Sequence, residues 1–545
     1  MAVGYNRPKL KHLTLLMLQN KENAAPQSTH PKYRPDIDGL RAVAVLAVVV
    51  FHAFPEWLPG GFIGVDIFFV ISGFLIGSIL FKSLSQERFS FIDFYSRRIR
   101  RIFPALFVVM VTSLIIGWYV LFADEYKQLG KHIAAGTGFV ANFAFWTESG
   151  YFDTAAELKP MLHLWSLAIE EQFYLIWPLV LWVAWKIRSN LLAVTVAIAL
   201  VSFSINIWMV QSHPAATFFL LPSRAWELLV GSILAWLSLQ PFWLSQQTRL
   251  RDLLENLSCT IGIVLIFWAM LFITPQSAFP GWYALAPALG AALFIAAGPS
   301  AWINRYILAN KAMVWVGLIS FPLYLWHWPL LSFARIVESE VPSETIRLTA
   351  ATLSVLLAWL TYRFIETPIR HRSGFITKAT AMLCAVALLG CAGYAIFKQD
   401  GLEFRAAANA AEINKFDLPY RHSCEPLMGS AFRDDWCNAE NLKHTSPDVV
   451  MIGDSFSNAY SDTLNEFAKI TGSITPVQLG RGRCPSLIGY GPDYCVEVTS
   501  ATSDYIAKTQ SVHTVVLAAN WPMYVSGQGY SWPGGNPPIF SSKRQ

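Results

Sequence analysis

Apolar residues in this chain come in long runs, and polar residues are largely confined to the short stretches between them. Runs long enough to cross a bilayer, about 17–25 residues each, begin near positions 41, 62, 102, 167, 190, 217, 257, 282, 315, 348 and 379. The pattern predicts eleven spans. A shorter apolar segment, 133–147, contains Gly136, Gly138 and Asn142 and is expected to be interfacial or re-entrant. Lys and Arg should collect in alternate, cytoplasmic loops. Arg34 and Arg41, Arg97, Arg98, Arg100 and Arg101, Lys186 and Arg188, Arg249 and Arg251, Arg305 and Lys311, and Arg370, Arg372 and Lys378 share one side only if 133–147 does not cross. The N-terminus is then cytoplasmic, ten spans return the chain near Arg372, and Ala379–Phe397 carries it out, leaving residues from about 400 extracytoplasmic.

Beyond that point the pattern changes. Pro447 to Ser455 reads as a short buried strand ending in a tight turn, Asn458 to Ile470 as an amphipathic helix, and Thr514 to Ala519 as a second apolar strand ending at Asn520. Strand, turn, helix, strand is the order of an α/β domain with a parallel sheet. The expected fold class is a polytopic α-helical membrane protein, a ten-span bundle plus an eleventh linking span, with a partial α/β domain at the C-terminus. Its segments are a disordered cytoplasmic tail (1–32), the membrane domain (33–372), the linking span (373–400), a periplasmic linker with a disulfide loop (401–446) and the α/β part (447–545).

Composition agrees: 54% hydrophobic and 14% charged residues are too few charges to cover a soluble enzyme of 545 residues. The net charge of +5 sits mostly in loops beside apolar runs, where it reports topology and not nucleic-acid binding. Leu13 to Leu18 is too short and too interrupted for a signal peptide. Of the seven cysteines, Cys259, Cys384 and Cys391 lie in apolar runs. Cys424 with Cys437 and Cys484 with Cys495 are locally spaced in the polar tail and fit two disulfide loops in an oxidising compartment, one of three possible connectivities.

Several ionisable residues interrupt the apolar runs. Arg41 and His52 share one face of the first span, about 16 Å apart along its axis. Such a pair is a site facing a polar cavity, or a rim arginine that snorkels above a hydrogen-bonded histidine. Arg97 to Arg101 is a topology anchor or a phosphate-binding cluster of guanidinium forks. Of the adjacent Glu170 and Glu171, near His163, at least one should point into the bundle. Arg224 and Glu227 are spaced as a structural ion pair. His327 and Glu366 suit interfacial packing as readily as catalysis. Gly453-Asp454-Ser455 places a serine between a strand and a helix, where backbone N–H groups can stabilise an oxyanion, with Gly480 or Gly482 and Asn520 as further candidates.

The ordered motifs from Tyr33 to about Arg372 resemble membrane acyltransferase family 3, in its form fused to an SGNH domain. They include Arg41-x10-His52, Gly64 to Ile76, Arg98-x-x-Arg101-x-x-Pro104, His163 to Tyr174, Pro222 to Glu227, Ser320 to Pro329 and Arg363 to Arg370. The resemblance implies a bacterial inner-membrane enzyme taking acetyl groups from cytoplasmic acetyl-CoA to extracytoplasmic glycans such as lipopolysaccharide O-antigen or peptidoglycan. It implies His52 as base or transient acyl carrier, Arg41, Arg98 and Arg101 as donor-binding residues, and Glu171 as a partner of the imidazole. No metal is expected. In the tail, Ser455, Gly480 and Asn520 match the SGNH nucleophile and oxyanion positions. No late Asp-x-x-His follows Ser455, so the domain is expected to be truncated and its serine nearly idle. The rivals are a transporter or flippase, or an acyl exporter that needs a complete SGNH domain for the final transfer.

Overall fold

The computed structural model describes residues 33–149, 156–240, 248–371, 375–405, 436–438, 446–480, 484, 487, 489 and 493–519. The expectations placed on residues 1–32, the Cys424–Cys437 pairing, Gly482 and Asn520 lie outside them. The chain divides into two compact units, Met1–Ala407 and Ala408–Gln545.

The first unit is helical: α1 (Pro35–Ala53), α2 (Gly64–Ser85), α3 (Phe91–Val120), α4 (Ala123–Thr137), α5 (Ala141–Glu148), α6 (Leu164–Lys186), α7 (Leu191–Met209), α8 (Leu221–Ser238), α9 (Arg249–Phe272), α10 (Leu285–Ala297), α11 (Lys311–Leu318), α12 (Ser320–Glu338), α13 (Glu344–Thr361) and α14 (Phe375–Lys398). Among the described residues eight helices are long and apolar enough to cross a membrane, or nine if α11 and α12, bent by 64°, count as one span. The other two of the eleven apolar runs are α1, whose 19 residues include Asp36, Asp38 and Arg41, and α10, which has only 13. Segment 133–147 is divided between α4 and α5, neither long enough to cross.

Local chemistry sets the helix ends. Pro35 opens α1 with Asp36 and Asp38 in its first turn, and Ser90, Asn190, Thr248 and Ser343 cap α3, α7, α9 and α13. α2 is buried over most of its surface, whereas α7 and α9 expose Leu200, Trp208, Val264 and Phe272, the apolar outer face of a protein solvated by lipid. α2 meets α8 backbone to backbone: a Cβ on Gly73 would stand 1.7 Å from the Leu228 carbonyl oxygen, and one on Gly231 2.0 Å from that of Val70. Only glycine permits that approach. The linking span α14 packs on α4 and α3 as part of this unit. Just beyond it the buried Arg405 donates to the carbonyls of Gly117, Trp118, Leu121 and Phe122, where the chain turns from α3 into α4.

The second unit holds strands β1 (Trp436–Asn438), β2 (Val449–Gly453), β3 (Pro476–Gly480) and β4 (Thr514–Ala518) and helices α15 (Ser455–Thr471) and α16 (Asp493–Lys508). The sheet order is β1-β3-β2-β4, with β2 parallel to both neighbours and β1 antiparallel to β3. β2, β4 and α15 stand where the sequence pattern puts two strands and a helix. β3 was not expected, because Gln478 breaks its apolar run; the side chain is buried and donates to Ser457 Oγ at 3.0 Å.

Candidate functional site

α1 carries Arg41 and His52 toward two different cavities. The first, about 80 Å³, is lined by Arg41, by Arg98 and Arg101 of α3, by Glu170 and Tyr174 of α6, and by Tyr324 of α12. Arg41 pairs with Asp38 at 3.1 Å, and Tyr174 donates to Glu170 at 2.9 Å. The buried Nε of Arg98 has no hydrogen-bond partner among the described residues. Three guanidinium groups around one narrow space, balanced in its lining by a single carboxylate, suit a phosphorylated ligand. Glu171 lies outside that lining but within electrostatic reach of Arg98 and Arg101.

The second cavity, about 420 Å³, lies toward the other end of α1 and is lined by His52, His163, Asp66, Arg224, Trp328 and a wall of phenylalanines. His52 Nδ1 is 3.0 Å from His327 Nε2, the rings stacked, while His327 Nδ1 is 3.1 Å from the Leu323 carbonyl. A carbonyl only accepts, so His327 carries its proton on Nδ1 and its Nε2 accepts from His52 Nδ1–H. This chain leaves the lone pair of His52 on Nε2, as a general base requires. The Trp328 ring meets that of His52 edge-on at 4.5 Å, and its Nε1 donates to the Lys159 carbonyl at 2.9 Å. The buried His163 ring has no hydrogen-bond partner among the described residues.

Arg224 is fully buried between Glu227 at 3.1 Å and Asp66 at 3.2 Å, within 6 Å of the ring centres of Phe69, Phe279, Trp165 and Phe218. The ion pair read from sequence is present, and Asp66 is the member that reading missed. Its signal was an acid inside the apolar run Gly64 to Ile76. Likewise His327, not Glu171, touches the His52 ring.

The two cavities meet at Val65 and Tyr324, which line both. The Tyr324 hydroxyl donates to the His163 carbonyl at 2.8 Å and stands 2.6 Å from Ser166 Oγ, closing a hydrogen-bonded partition. Among the described residues no cluster of His, Cys, Asp and Glu is arranged to hold a metal ion.

In the second unit Ser455 begins α15 directly after β2, and Gly453 and Gly480 are paired at the ends of the neighbouring strands β2 and β3. Cys484 and Cys495 are joined by a disulfide, their Cα atoms 5.2 Å apart.

Residues 34–363 match the acyltransferase domain family, and residues 423–544 match the SGNH domain that occurs fused to such domains. A peptidoglycan O-acetyltransferase of Listeria monocytogenes is 35% identical over 362 residues, 63% of this chain and 57% of that protein. An O-acetyltransferase of Staphylococcus aureus is 33% identical over 366 residues, 65% of this chain and 59% of that protein. The chain therefore spans a little under three-fifths of the length of these curated relatives. No solved structure matches it.

Proposed function

This chain belongs to the acyltransferase domain family, and on that premise we propose that it moves an acetyl group from acetyl-CoA at one membrane face to a glycan hydroxyl at the other. The observation that carries this reading is the pair of cavities meeting at Tyr324, one rimmed by Arg41, Arg98 and Arg101 and the other containing His52 with a free Nε2. The arginines hold the donor's phosphates, and the slender thioester arm passes Tyr324 toward His52. His52 Nε2 takes the proton from the acceptor hydroxyl as its oxygen bonds to the thioester carbon. The C–S bond then breaks and His52 returns the proton to sulfur. The loop charges support a cytoplasmic arginine end of α1, with His52 toward the extracytoplasmic side of a bacterial inner membrane; the same rule makes the chain beyond α14 extracytoplasmic. The name of the Listeria relative favours peptidoglycan over lipopolysaccharide O-antigen as the glycan.

The test is mass spectrometry of surface glycans from cells carrying the wild-type chain or His52→Ala, together with acetyl-CoA consumption by their membrane vesicles. Glycan O-acetyl groups and acetyl-CoA consumption should both disappear in the mutant. Wild-type vesicles that accumulate a solute but consume no acetyl-CoA would favour a transporter.

A further inference from the structure

A third cavity, also about 420 Å³, opens at the His52 end of α1, away from Arg41. It shares His52, Pro55, Glu157, Trp328 and Arg335 with the histidine cavity, so the base stands where the two join. Four charged side chains line it. Arg347 and Glu56 are committed: Arg347 donates to the Ala53 carbonyl at 2.8 Å, lies over the Phe54 ring and pairs with Glu56 at 3.4 Å. Glu157 and Arg335 differ. Neither has an ion pair or hydrogen bond among the described residues: Glu157 is exposed, Arg335 is half-buried, and both line the same two cavities. Arg335 follows Trp328 by seven residues on α12, two turns along one face.

We propose that this mouth is the acceptor subsite and that it takes a pyranose ring, the Glu157 carboxylate accepting from its hydroxyls and the Arg335 guanidinium donating to its oxygens. An uncommitted acid and an uncommitted fork of donors on separate walls match the mixed donor and acceptor edge of a sugar. The hydroxyl to be acylated then lies at His52 Nε2. The assignment rests on the acyl-transfer reading above. The plainer role for Arg335, a cation completing the last turn of α12, would be kept by Arg335→Lys.

The full chain is reconstituted in liposomes with acetyl-CoA on the arginine side and chitotetraose on the other, following CoA release and acetylated sugar by mass spectrometry. Arg335→Ala and Glu157→Gln should raise the KM for chitotetraose about 10- to 100-fold while leaving the KM for acetyl-CoA in place. Arg335→Lys should keep wild-type thermal stability but not wild-type KM for the sugar. A sugar KM unchanged in both variants, with the wild type turning over, overturns the subsite alone. Sugar product lost in Ser455→Ala while CoA release continues also overturns it, because the acyl group would then reach sugar through the second unit. A wild-type chain that releases no CoA sinks the acyl-transfer reading, and the subsite with it.

Discussion

His52, the proposed base, is oriented by a residue 275 positions away: His327 accepts the Nδ1 proton because the Leu323 carbonyl holds the proton of His327 in turn. Replacing His52 with Ala should lower acetyl transfer about 10²- to 10⁴-fold, the range of a lost general base, with the protein still in the membrane. His327→Ala should reduce kcat on the order of 100-fold by freeing the ring to turn and should alter the pH–rate profile. His327→Gln should recover part of this, since an amide can accept from His52 and donate to Leu323. Identical kcat and pH profiles in wild type and His327→Ala would show that the contact is only packing. At this scale the sequence was informative where the cost is intrinsic: an Arg or His in an apolar run stands out by itself. It could not reveal which histidine meets which, because that pairing is made only when α1 and α12 pack.

Among elements, the closest approach is that of α2 and α8. Gly73→Val would drive a branched side chain into the Leu228 backbone and should destabilise the detergent-solubilised protein by about 3 kcal/mol. Gly138→Ala is the control, since its nearest contacts lie at 3.6 Å; equal melting temperatures for the two variants would refute the close packing. A second dependence sits at the α4–α5 corner, where Glu148 meets Lys131 at 2.7 Å, His132 at 2.9 Å and Lys159 at 3.0 Å. Burial favours the neutral acid, but these partners outweigh it and hold the carboxyl well below the usual range. A carboxyl lowered in the folded state binds fewer protons there than in the unfolded chain. Its contribution is therefore complete above about pH 4.3, the ordinary glutamate value, and is lost as pH falls below that. Glu148→Gln should melt lower than wild type at pH 7, with the gap shrinking between about pH 5 and 3; a constant gap would exclude the charge interaction. Helix positions followed the apolar runs, but the bend between α11 and α12 and the shortness of α10 did not, since both depend on what those residues pack against.

For the molecule as a whole, the orientation proposed from the loop charges can be checked on the second unit. The Cys484–Cys495 disulfide should be inert to a membrane-impermeant maleimide on intact spheroplasts and become labelled after reduction. Labelling that requires lysis would invert the orientation. The order β2, α15 and β4 was legible because the two strands are unbroken apolar runs and the helix is amphipathic, whereas β3 was hidden by one buried glutamine.

The Tyr324 partition has a consequence for the cell's energy supply. Two cavities joined by water across a bilayer would form a conductive path, and each elementary charge moved through 100 mV releases about 2.3 kcal/mol. On the proposed acyl-transfer reading, the hydroxyl tied to Ser166 and the His163 carbonyl is what a thioester arm would displace, and its return behind the arm would let carbon cross without current. Tyr324→Ala should make energised vesicles lose their proton gradient faster than wild type when read with a pH-sensitive dye, and equal decay would mean that the electrical seal lies elsewhere.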